Sequence, residues 1–147
     1  LHSILETWLL GYPINVQAII FIGLETVLAP YWHTVNPSEK EIAKALSLEA
    51  DSIRKAVKGL SIPLCIEGKQ LSSSDFSEML THQIPMRDSA VTFIIGSSFG
   101  LDDSIKQQAY FKLSMSAMTF PHALASVMLL EQIYRAYQID KGTGYHK

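Results

Sequence analysis

Residues 90–95, Ala-Val-Thr-Phe-Ile-Ile, form a run of β-branched and aromatic side chains that stops on Gly96, and no other stretch constrains the fold as much. Such a run reads as a buried strand. Residues 14–23 repeat the pattern behind Pro13, and residues 60–66 do so more briefly. Helical stretches lie between them. Ser38 is expected to cap a helix over residues 39–58, with Glu39 and Glu41 in its first turn. Ile42, Ala45, Leu46, Ile53 and Val57 recur there at helical spacing, and Gly59 takes the C-cap position. A second helix is expected over residues 72–82 behind a serine cluster. A third is expected from Asp102 or Asp103 to about Lys112, and a long last one over residues 122–140. Glu67-Gly68-Lys69 reads as a turn, and residues 30–37, with Tyr31, Trp32, His33 and Asn36, as a loop. Alternating strands and helices predict an α/β fold with a mainly parallel sheet wrapped by helices.

A chain of 147 residues, 48% hydrophobic and 18% charged, is the size of one domain with a substantial core. Its longest apolar run is strand-sized, so no membrane-spanning helix is expected. The opening Leu1-His2-Ser3 shows neither an initiator Met nor the basic and small-residue pattern of a signal peptide; the sequence is expected to begin inside a longer one. One cysteine, Cys65, forms no internal disulfide, which fits a reducing cytoplasm. The five histidines lack metal-ligand spacing, so no metal is expected. A net charge of −2 lacks the basic surplus of most phosphate-gripping surfaces.

Four places carry chemistry. The turn at residues 96–100 leaves a buried strand at the carboxyl edge of a parallel sheet, where ligands of α/β folds bind, and its glycines let a nucleotide come close. Leu113-Ser114-Met115-Ser116-Ala117-Met118-Thr119-Phe120-Pro121-His122 alternates hydroxyls with apolar side chains, a surface suited to an adenine. Glu131 and Arg135 stand four apart on the last helix. The tail Gly142-Thr143-Gly144-Tyr145-His146-Lys147 ends on groups that stack on bases and exchange protons. The residues alone leave open the plainer readings: a strand-to-helix turn, a buried connector, a helical ion pair and a frayed terminus.

In order along the chain, Leu64-Cys65-Ile66-Glu67-Gly68-Lys69, Phe93-Ile94-Ile95-Gly96, Gly100-Leu101, Leu113-Ser114-Met115-Ser116, Met118-Thr119-Phe120-Pro121-His122, Glu131-Gln132-Ile133-Tyr134-Arg135-Ala136 and Tyr145-His146-Lys147 resemble the signature blocks of the RlmH family. These are SPOUT-class enzymes that methylate N3 of a pseudouridine in large-subunit ribosomal RNA. The likeness is good over residues 62–147 and continues less securely upstream.

The resemblance implies a SPOUT-type parallel sheet with a C-terminal trefoil knot and helices on both faces. It further implies a cytoplasmic homodimer with its site at the interface, and ribosomal RNA or the assembled ribosome as partner. By the same likeness, S-adenosylmethionine would lie on Leu64, Gly96, Met115, Ser116, Ala117, Met118, Thr119 and Phe120. His146 would assist catalysis, Tyr145 and Arg135 would contact RNA or orient the base, and Glu131 would fix Arg135. Residues 1–147 would form a single domain, missing or divergent in its first strand, with residues 6–12 in place of the family's first helix. Ser97 stands where the family commonly has a second glycine, and Ala123 and Ser126 where it commonly has Gln and Arg. Two alternatives are a SPOUT-fold dimer that binds S-adenosylmethionine or RNA without methylating, and a SPOUT methyltransferase acting on tRNA.

Overall fold

A computed structural model describes residues 15–20, 37–97 and 99–145. Within them the chain runs β1 (Asn15–Ile20), α1 (Glu39–Ala56), β2 (Leu60–Gln70), α2 (Ser73–Glu78), a π-helical turn (Met79–Gln83), β3 (Ala90–Ile95), α3 (Asp103–Gln107), β4 (Leu113–Ser114) and α4 (His122–Asp140). The strands form one parallel sheet in the order β1-β3-β2-β4. The expected α/β class and parallel sheet are therefore present. Expectations on residues 6–12, 14, 21–23, 30–36, 146 and 147 lie outside the described residues.

β3 is central, and alternation of its side chains divides the core in two. Val91, Phe93 and Ile95 face α2, the π-helical turn and α4, packing with Ile62, Phe76, Leu80, Leu129 and Ile133. Ile94 faces the other way, against Ala50 and Ile53 of α1, Leu101 and Ile105. Thr92 is buried without loss because its hydroxyl donates to the Lys58 carbonyl at 2.7 Å and accepts from the Lys58 N–H at 3.1 Å. Helices thus cover both faces of the sheet. On one of them α2 is sewn to α4 by Ser77 Oγ donating to the Ala136 carbonyl at 2.6 Å.

Helix starts follow the sequence closely. Ser38 caps α1 through a reciprocal box, its hydroxyl accepting from the Glu41 N–H while Glu41 Oε2 accepts from the Ser38 N–H at 2.7 Å. Ser72 caps α2 by accepting from the Asp75 N–H, and Asp102 caps α3 by accepting from the Ser104 N–H.

Four boundaries differ. α1 ends at Ala56 with an extended Val57 as its C-cap, and Gly59, at φ +69°, turns the chain into β2 beyond the helix. α2 stops at Glu78 and widens into the π-helical turn, closed by Ile84 N–H donating to the Met79 carbonyl at 2.9 Å. Glu67-Gly68-Lys69 is no turn but part of β2, which passes an irregularity after Leu64 and then pairs Lys69 with Leu113. Gly68 is needed there because a Cβ would stand 2.7 Å from the Lys112 carbonyl oxygen. α3 closes after Gln107, well short of Lys112, because the Tyr110 N–H leaves the helical path to bond the Ser61 carbonyl at 3.0 Å.

Candidate functional site

A cleft of about 770 Å³ opens at the carboxyl ends of the strands. Its floor is Leu64 of β2 and Ile95 and Gly96 at the end of β3; the segment after β4 and the first turn of α4 close it over. Of the eight residues expected to hold a cofactor, Leu64, Gly96, Met115, Ser116, Met118, Thr119 and Phe120 line this cleft. Ala117 is exposed and is not among the lining residues.

The loops are shaped by their own bonds. Ser116 accepts at its carbonyl from Ser114 Oγ and at its hydroxyl from the Met118 N–H, both at 3.0 Å, which fixes the turn that presents Met115 and Thr119. Gly96 is packed so closely that a Cβ would stand 2.4 Å from the Gly100 carbonyl oxygen. The Gly100 N–H donates to the Ser97 carbonyl at 2.9 Å, and Gly100 itself sits at φ +87°, a region side chains disfavour.

Two charged residues at the rim lie beyond the expected set. Lys106 of α3 donates to Glu67 and reaches Asp103, each at 2.9 Å, tying α3 to β2. The hydrogen bond from Lys106 holds Glu67 below the usual carboxylate range. The Lys106–Asp103 spacing hints at a helical pair, but Glu67 is 39 residues away and leaves no local signal. Cys65 also lines the cleft; burial, then the charge of Glu67, pushes its thiol pKa up, so it acts as an apolar wall rather than a nucleophile.

The remaining site residues gather elsewhere. Glu131 Oε1 accepts from Arg135 Nε at 2.9 Å, from Arg135 Nη2 at 2.5 Å and from the Tyr145 hydroxyl at 3.2 Å. The Arg135 guanidinium stands 4.8 Å from the Tyr145 ring centre, and Tyr134 meets that ring edge-on at 5.0 Å. The tail is therefore folded back on α4 as far as Tyr145, whereas His146 lies outside the described residues. Arg135 lowers the Glu131 pKa chiefly by hydrogen bonding. Glu131 borders a smaller hollow of about 430 Å³ that shares Met115 with the main cleft. Arg135 and Tyr145 line neither. His122 lines the main cleft, and thirteen residues of helix place Arg135 about 20 Å further along α4.

Ser126 is buried, its hydroxyl donating to the His122 carbonyl at 2.7 Å, while Ala123 is exposed. Among the described residues there is no cluster of His, Cys, Asp and Glu that could hold a metal ion. No helix among them is long and apolar enough to cross a membrane.

Residues 10–146 match a family described as predicted SPOUT methyltransferases. The chain is 42% identical over 112 residues to a protein of Streptococcus equi subsp. zooepidemicus named ribosomal RNA large subunit methyltransferase H, covering 75% of this chain and 70% of the relative. It is 44% identical over 114 residues to a protein of the same name from Clostridium tetani, covering 76% and 72%.

Proposed function

This chain belongs to the SPOUT methyltransferase family, and from that premise we propose that it transfers a methyl group from S-adenosylmethionine to N3 of a pseudouridine in large-subunit ribosomal RNA. The observation that carries the proposal is the cleft itself, where β2, the turn after β3 and the segment after β4, far apart in sequence, bring seven expected cofactor residues together. The names of the relatives support ribosomal RNA as the substrate.

The cleft fits the cofactor chemically. Leu64, Ile95, Met115 and Phe120 offer apolar walls for an adenine, Ser116 and Thr119 add small hydroxyls, and the tight turn at Gly96 lets backbone approach a ribose. Bound S-adenosylmethionine supplies a sulfonium methyl, an electrophile whose leaving thioether needs no proton. The protein's task is then to line up a nitrogen behind that methyl and to exclude water. Imide N3 is a weak acid, and His146 takes its proton before or during attack. Tyr145 stacks on the base, and Arg135, its planar donors suited to phosphate, holds the strand while Glu131 fixes its orientation.

Because α4 separates Arg135 and Tyr145 from the cleft of their own chain, the complete site is built by two copies, the tail of one meeting the cleft of the other. Exposed Leu124, Val127 and Tyr134 along α4, with Met118 beside it, support that contact. The sheet order, with β3 and β4 on opposite sides of β2, supports a C-terminal trefoil knot. The work place is the cytoplasm, on ribosomal RNA or the assembled ribosome.

A second reading, a dimer that binds cofactor or RNA without methylating or that methylates tRNA, has one observation in its favour. From Gly96 onward five basic residues face four acids. Lys106 and Arg135 are already held in ion pairs. Titration calorimetry with S-adenosylhomocysteine tests the cofactor reading: saturable binding is expected, and no heat of binding at millimolar ligand overturns it.

A further inference from the structure

α1 buries one carboxyl among apolar side chains. Glu49 is only 4% exposed, beside Ala45, Ala50 and Ile53 on the face packed toward the sheet. Among the described residues neither of its oxygens closes a hydrogen bond, and the hydroxyl of Ser97 is likewise buried and without a closed bond. The two groups are neighbours nonetheless. Burial raises the Glu49 pKa from 4.5 to about 7, and the Ser97 hydroxyl opposes that rise.

Ser97 belongs to the cleft. It follows Gly96, lines the same wall, and pairs with Gly100 across the turn. One residue therefore shapes the ligand surface with its backbone while its side chain meets a buried acid of another element.

We propose that Glu49 is a positioning residue for the cofactor cleft: its carboxyl, set against the Ser97 hydroxyl behind the wall, holds the turn at residues 96–100 against α1. The role rests on the cleft being the cofactor site. A neutral carboxyl donates to the hydroxyl and leaves no charge in the core. A carboxylate there is desolvated, a cost that the Ser97 hydroxyl offsets only in part, and the turn loosens against α1.

Among the described residues, the charged groups of the surrounding elements are engaged elsewhere. Arg54 of α1 is bonded to Asp51 and Ser104, Asp102 accepts from Ser104, and Lys106 is paired with Glu67 and Asp103. β3 carries no ionisable side chain.

The direction with pH follows. Below about pH 4.5 Glu49 is neutral in both the folded and the unfolded chain and adds no pH dependence. Between there and about pH 7 the unfolded chain loses its proton first, so stability falls as pH rises and levels off above.

The experiment compares thermal unfolding of the ligand-free wild type, Glu49→Gln and Ser97→Ala between pH 5 and 8, with S-adenosylhomocysteine calorimetry at both ends. Relative to Glu49→Gln, which keeps the shape and cannot titrate, the wild-type midpoint is expected to fall by about 5 °C over the range. Ser97→Ala is expected to fall further. Wild-type affinity is expected to drop about tenfold toward pH 8 while that of Glu49→Gln holds. Parallel pH profiles for wild type and Glu49→Gln overturn the proposal. If the wild type binds no S-adenosylhomocysteine at any pH, the cofactor role fails, and the unfolding profiles still decide whether Glu49 and Ser97 are coupled.

Discussion

Gly96 and Arg135 have two different jobs in the proposed reaction, and their substitutions separate them. Gly96→Ala places a methyl 2.4 Å from the Gly100 carbonyl oxygen, so the turn must move and the cleft with it. Arg135→Ala removes a guanidinium that lines neither hollow. Calorimetry is expected to show S-adenosylhomocysteine binding weakened at least about tenfold in Gly96→Ala and unchanged in Arg135→Ala, whose loss appears only in methyl transfer. The turn after β3 and the segment after β4 were legible as short patterns, a strand ending on glycine and hydroxyls alternating with apolar side chains ahead of a proline, while their assignment to a cofactor, and Leu64 altogether, came with the family resemblance. Glu67 with Lys106, and Glu49 with Ser97, were not legible. Each pair joins elements tens of residues apart, and Glu49 stands inside an ordinary amphipathic helix where a polar residue carries no special mark.

At the level of elements, local chemistry set the starts better than the ends. The capping box at Ser38 is complete, and Ser38→Ala is expected to cost about 1 kcal/mol in urea unfolding. Replacing Ser38 with Asp, which caps equally well, is expected to restore most of that. The strand at residues 90–95 and the helix at residues 122–140 were readable to the residue, because a β-branched and aromatic run and a proline entry leave little freedom. Glu67-Gly68-Lys69 carries turn residues yet lies in β2, since the edge of the sheet recruits the chain through Lys69 N–H donating to the Lys112 carbonyl at 2.9 Å. α3 ends early for the same reason, its continuation claimed by the Ser61 carbonyl. Such partners are set by tertiary packing and leave no trace in a local window.

For the whole molecule the main consequence of the fold is that the proposed site divides between cleft and tail. Leu124, Val127 and Tyr134 stand on one side of α4, exposed and apolar around the Glu131–Arg135 pair. Val127→Glu is expected to shift the sedimentation coefficient from dimer to monomer and to abolish methyl transfer, while leaving the helical circular dichroism intact. The most direct test of the account is transfer of tritiated methyl from S-adenosylmethionine to ribosomes from a strain lacking the endogenous modification. One methyl per large subunit is expected, mapped by mass spectrometry to N3 of a pseudouridine. Absence of incorporation by a protein that binds S-adenosylhomocysteine, or label on tRNA instead, would contradict it.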